Sequence, residues 1–198
     1  MRKLKTILAA TALSVLSSTA YADGHAANWT LDPAVSNVSF GSIKNDYAGE
    51  SHSFGKVSGT VSAEGLATIE LGLGSVQTNI DIRNERLMEF VFDNAPSATI
   101  TAQLDMVALM ALGVAETTTV ETTGTLTLLG TETELDAVFF VMRLSEDKVL
   151  VTTDGMLMLS TEDAGLDDGI SKLQELASLD SITRVSPVTM RLIFDAGS

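Results

Sequence analysis

Most of this chain alternates apolar and polar residues with a period of two, and that single feature decides its fold class. Ile69, Leu71 and Leu73 alternate with Thr68, Glu70, Gly72 and Gly74. Ile100, Ala102, Leu104 and Met106 alternate with Thr99, Thr101, Gln103 and Asp105, and Leu126 and Leu128 with Thr125 and Thr127. Leu135, Ala137, Phe139 and Val141 form another one-sided set, and Val188, Met190, Leu192 and Phe194 the last. Successive side chains of a strand point to opposite faces, so each set is the buried face of a β-strand; a helix would scatter it around its circumference. Further strands are expected at 29–32, 35–44, 54–63 and 147–160, and turn signals such as Ala63-Glu64-Gly65 and Leu129-Gly130 separate them. About eight or nine short strands without a repeat or a linker indicate one mainly β domain, an antiparallel sandwich or barrel.

Two segments break the alternation. Residues 81–92 read as a short helix: Asp81 can cap it, Leu87, Phe90 and Val91 share one face, and Pro96 ends any continuation. Residues 167–179 read as a second, with Asp167 and Asp168 at the positive end of its dipole and Ile170, Leu173, Leu176 and Ala177 on one side.

The first 22 residues have the form of an export signal. MRKLK is basic, TILAATALSVL is a short apolar stretch, and Ala20-Tyr21-Ala22 fits a small-x-small cleavage site. Cleavage after Ala22 is expected to leave residues 23–198 as the mature domain in the periplasm. Loss of Arg2, Lys3 and Lys5 takes the formal net charge from −14 to −17. A surface so acidic repels nucleic acid and anionic lipid head groups, so neither is an expected partner. The chain has no cysteine, so its core must hold the fold without disulfides and thiol chemistry is excluded.

Signals for catalysis are scarce. No G-x-S-x-G elbow or P-loop occurs, and the two histidines are too few for a histidine-rich metal site. His25 lies in the tail after the cleavage site, and His52 is expected in a polar loop beside Ser51 and Ser53. The acidic run 162–168 lacks the alternating oxygen ligands of a calcium loop and reads as a turn leading into a helix. No cofactor or metal is therefore expected. An outer-membrane barrel would need aromatic girdles, and aromatic residues make up 5% of the chain. What remains is a barrel-like fold with an aliphatic and phenylalanine interior, of the size that either fills with side chains or holds one small ligand. Gly72, Gly74, Ala102 and Ala137 are small enough to leave such space, or to mark close packing instead.

Four stretches, in order, carry a family resemblance. Residues 29–40, WTLDPAVSNVSF, resemble the opening W-x-x-D-x-x-H/V-S-x-V-x-F of the YceI-like family. Residues 54–61, FGKVSGTV, are similar to its G-x-F-x-x-V-x-G-T segment without the first glycine. Arg83-Asn84-Glu85-Arg86-Leu87 with Phe90, Phe92-Asp93 and Pro96 resembles its R-D-x-x-L-x-x-x-x-F-F-D-x-x-x-x-P stretch, and Gly124-Thr125-Leu126-Thr127-Leu128-Leu129-Gly130 its G-x-L-T-I-H-G. Asn84 replaces the family's aspartate, Leu129 its histidine, and Asp163-Ala164-Gly165-Leu166 its D-F-G-L.

The resemblance implies an extended eight-stranded antiparallel lipocalin-like β-barrel with two short helices, enclosing an apolar tunnel. It further implies a periplasmic protein, a polyisoprenoid or other long-chain amphiphile as ligand, no stable membrane insertion, and a homodimer as an allowed assembly. The expected lining is Phe40, Phe54, Leu71, Leu73, Leu87, Phe90, Phe92, Leu126, Phe139 and Phe194. Arg83 is expected at the mouth, where helix 81–92 can act as a lid tied down by that arginine. Binding without catalysis is the expected function. The competing reading is a stress-linked enzyme acting on a lipid or quinone through Arg83, Glu85 and Asp32.

Overall fold

The structure, a computed structural model, describes residues 29–197; the expected export signal and cleavage site lie outside them. Twelve strands form one antiparallel sheet. They are β1 (Trp29–Leu31), β2 (Asn37–Lys44), β3 (Ala48–Phe54), β4 (Val57–Val61), β5 (Leu66–Gly72), β6 (Val76–Gln77), β7 (Ser97–Gln103), β8 (Thr117–Leu128), β9 (Thr131–Ser145), β10 (Lys148–Thr153), β11 (Leu157–Ser160) and β12 (Val185–Ala196). The helices are α1 (Asp81–Arg86), α2 (Met106–Met110) and α3 (Asp167–Leu176).

The twelve strands make eight staves, because several run end to end. Along β12, residues 185–188 pair with β11 and 191–195 with β10 on one side. On its other side, residues 188–191 pair with β2 and 194–196 with β1. So β1 and β2 form one broken stave, β10 and β11 another, β3 with β4 a third, and β5 with β6 a fourth. The β1–β12 pairing closes the ring, giving the eight-stranded antiparallel barrel that the resemblance implied and deciding between the sandwich and the barrel that the alternation left open.

The breaks have local causes. Pro33 has no N–H to give a ladder, and the chain bulges at 33–36 while Ser36 Oγ accepts from Ile193 N–H at 3.0 Å. At Gly55-Lys56 both amides turn to Ser75, reaching its carbonyl at 3.0 Å and its Oγ at 2.8 Å.

Residues 81–92 are not one regular helix. After α1 the backbone widens into a π-helical turn, Leu87–Val91, and Phe92 N–H donates to Leu87 C=O five residues back. The wider turn brings Leu87, Val91 and Phe92 to the core, each at most 7% exposed, and leaves Phe90 half-buried. The helix α3 crosses directly over this turn. Its Gly169 is essential to the crossing, since a Cβ there would come within 2.7 Å of Val91 Cα. The second helix expected at 167–179 is thus present over Asp167–Leu176, and α2 was not anticipated.

The hairpin joining β8 and β9 turns on Leu129 and Gly130, both left-handed, with φ of 52° and 81°. A two-residue turn of this kind favours Asn-Gly, and a leucine there carries a steric cost of about 1 kcal/mol. Leu129→Asn should therefore stabilise the protein by about 0.5–1 kcal/mol, read as a higher urea midpoint with unchanged slope. An unchanged or lower midpoint would show that the leucine side chain has a compensating contact.

Candidate functional site

The barrel interior is not filled. A cavity of about 450 Å³ occupies the end beneath α1, the π turn and α3. A second of about 140 Å³ lies towards α2. Ile100, Leu135, Leu157 and Met190 face both and form a neck between them. Strand alternation builds this arrangement. On β8 the inward positions are Val120, Thr122 and Gly124 in the small chamber, then Leu126 and Leu128 in the large one.

Phe40, Phe54, Leu71, Leu73, Arg83, Leu87, Phe92 and Leu126 line the large chamber, and Phe139 and Phe194 the small one. Phe90 lines neither; Val91 takes that place, for the reason given by the π turn. Gly72 and Gly74 also lie off both walls, because Leu71 and Leu73 hold the inward positions, whereas Ala102 and Ala137 do line the small chamber. Helical spacing could not reveal the switch to a π turn, and nothing in the alternation marked Met190 as a neck.

Polar groups gather at the mouth of the large chamber. Glu50 Oε1 accepts from Lys44 Nζ at 3.1 Å, and its Oε2 from Arg83 Nη1 at 2.5 Å. Arg83 Nη2 donates to the Thr78 carbonyl at 2.7 Å, so this one side chain ties α1 to β3 and to the preceding loop. Asn84 Oδ1 accepts from both the amide and the hydroxyl of Thr78, at 2.9 and 2.6 Å. An amide oxygen thus serves where the family's aspartate would offer a carboxylate.

His52 is not in a loop. It sits on β3 facing inward, 5% exposed, with its ring 5.1 Å from that of Phe40 and Nε2 3.0 Å from Ser42 Oγ. Burial, then the Arg83 charge, lowers its pKa and keeps it neutral. For Glu50, burial alone would raise the pKa, but the hydrogen bonds and charges of Lys44 and Arg83 outweigh it and hold the carboxyl below its ordinary value. Both shifts act in the same direction on stability. Below the ordinary histidine value of 6.5 the unfolded chain takes up a proton that folded His52 refuses, and below 4.5 the same holds for Glu50. Stability is therefore complete above 6.5 and declines as pH falls. A urea midpoint followed from about pH 7 to about pH 4 should drop in two stages, and His52→Gln should flatten the upper one. A midpoint that rises on acidification would contradict the assignment.

Arg83, Glu85 and Asp32 are not brought together. Arg83 stands at the mouth, Glu85 is exposed on α1, and Asp32 lies where its charge is felt by Lys148. Among the described residues no group of three or more His, Asp or Glu side chains converges to hold a metal ion. Also among them, no helix is long and apolar enough to cross a membrane.

Comparison with known proteins agrees with this geometry. No curated protein sequence matches the chain. A polyisoprenoid-binding domain from Saccharophagus degradans implicated in plant cell wall breakdown superposes with a TM-score of 0.83 at 34% identity, over 85% of this chain and 98% of that one. BcnA of Burkholderia cenocepacia shares the fold, with a TM-score of 0.63 at 19% identity over 82% and 98% of the two chains. The model of the YceI-like domain matches residues 29–180, and with the closed barrel and its roofed cavity in place, the chain belongs to the YceI-like family.

Proposed function

We propose that this protein is a periplasmic carrier that sequesters a polyisoprenoid or similar long-chain amphiphile, without catalysing a reaction on it. The observation that carries this reading is the division of the cavity: its walls are mostly apolar through its depth, Lys44, Glu50 and Arg83 gather at one mouth, and the deeper Arg143 is turned to the Ser145 and Glu146 carbonyls. An amphiphile matches that division, with its chain inside and its head beside Lys44, Glu50 and Arg83. Each methylene withdrawn from water contributes about 0.8 kcal/mol, so such a tunnel holds a chain tightly with no reactive group. The polyisoprenoid-binding relative from S. degradans, at 34% identity, supports the ligand class. The basic, apolar and small-x-small order of residues 1–22 supports export.

The test is to express the chain with its leader, recover it from the periplasm without detergent, and analyse extracted lipid by mass spectrometry. A long-chain isoprenoid in near-stoichiometric amount is expected. Protein that is repeatedly empty, and takes up no added prenyl lipid, would overturn the reading.

A further inference from the structure

The second chamber has properties that a simple binding cavity does not need. It lies beyond the neck from the Lys44, Glu50 and Arg83 mouth, and the charged residue on its wall, Arg143, spends its Nε and Nη2 on the Ser145 and Glu146 carbonyls, so the chamber suits a tail and not a head. Its far end is lined by the segment around α2, with Leu104, Met106 and Leu109 as a floor. Asp105 fixes that floor, its Oδ1 accepting from Val107 and Ala108 N–H at 3.0 and 3.3 Å. Its emptiness comes from opposed small residues on adjacent strands: Ala67, Ala102 and Gly124 lie side by side across β5, β7 and β8, and Ala137 faces Thr122 across β8 and β9. Leucine at Ala102 and Ala137 would fill the space and suit the strands better. The neck includes Met190, an unbranched side chain with three rotatable bonds that can swing aside at little cost.

We propose that the small chamber gauges the length of the ligand's tail, with Ala102 and Ala137 as chain-length determinants and Met190 as the side chain that admits the tail through the neck. This rests on the carrier reading above. A methylene occupies about the liquid volume of a water molecule, ~30 Å³, so the large chamber takes roughly fifteen carbons and the small one roughly five more. Five carbons are one isoprene unit. A tail that ends at the neck leaves the small chamber empty; one unit longer fills it; and further units are stopped by the α2 floor and must remain towards the mouth. Selectivity for length then follows from where the floor lies and not from any contact with the head.

Wild type, Ala137→Phe and Ala102→Leu are each incubated with an equimolar mixture of prenyl alcohols from farnesol to undecaprenol, and the bound fraction is read by mass spectrometry. The two substitutions fill the chamber from different strands, and circular dichroism confirms folding of each. In both variants the most enriched homologue should shorten by about one five-carbon unit, read as loss of the longer homologues from the bound fraction. Met190→Ile, which stiffens the neck, should slow loading of long homologues several-fold relative to short ones. An unchanged length distribution in folded, lipid-binding variants overturns the gauge and leaves the carrier function standing. Wild-type protein that takes up no prenyl alcohol overturns both.

Discussion

Trp29→Ala should cost roughly 3–5 kcal/mol of stability, the largest loss expected from one side chain in this barrel. Trp29 is the single tryptophan, 4% exposed, on the short strand that closes the ring. Its backbone stands opposite Ala196 on β12 and Val61 on β4, so the indole packs at the seam itself. The Arg143 guanidinium lies 5.1 Å from its ring centroid, and Arg143 is itself only 7% exposed. That arginine donates Nε to Ser145 C=O at 2.8 Å and Nη2 to Glu146 C=O. Removing the indole therefore leaves a cavity and strips a buried cation of its aromatic neighbour, two losses that add. For a chain of this size the melting temperature should fall by about 10 °C. Trp29→Phe keeps a ring at the seam and should recover more than half of the loss. A melt within about 3 °C of wild type for the alanine variant would mean that the ring closes without Trp29.

How far the fold could be read from the residues depends on what each inward position is for. Strands β5, β9 and β12 bury mostly large apolar side chains on one face, and their alternation was plain. Strand β3 was legible only at its end, because its inward positions are Glu50, His52 and Phe54, two of them polar for the mouth of the cavity. The first half of β8 was missed for the opposite reason: Val120, Thr122 and Gly124 face inward but are kept small, so apolar contrast is weak. Both failures fall on the functional cavity, where the sequence departs from the pattern that a filled core would impose. His52 was assigned to a loop by its serine neighbours, which in fact point outward or to the rim. Phe90 was assigned to the lining by α-helical spacing, which a π turn does not obey. Arg83 was read as a tether or a site residue, and the structure gives it the partners of a tether.

Arg83→Met should speed release of a bound prenyl lipid on the order of 10–100-fold. The roof over the large chamber is α1 with its π turn; Leu87, Val91 and Phe92 pack it down beneath α3, Asn84 ties it to Thr78, and Arg83 is the side chain that fastens it across to β3. Methionine keeps an apolar stem against the cavity but gives up both guanidinium bonds, to Glu50 and to the Thr78 carbonyl. Hydrogen bonds to charged groups contribute about 1.5–3 kcal/mol net, and each 1.4 kcal/mol is a factor of about ten in the open fraction of the roof. Arg83 and Glu50 are each less than one-third exposed, so solvent screens the pair only in part. Lys44 still neutralises Glu50 in the variant, which keeps the global cost of unfolding well below the effect on release. Arg83→Lys separates charge from geometry: it can reach Glu50 or Thr78 but lacks the planar fork that bridges both, and it should release lipid at an intermediate rate. Transfer of a preloaded fluorescent prenyl lipid to acceptor vesicles measures each rate. If Arg83→Met binds less lipid yet releases what it holds at the wild-type rate, Arg83 contacts the ligand and does not hold the roof. Equal binding and equal release would show that the roof is held by its apolar side chains and Asn84.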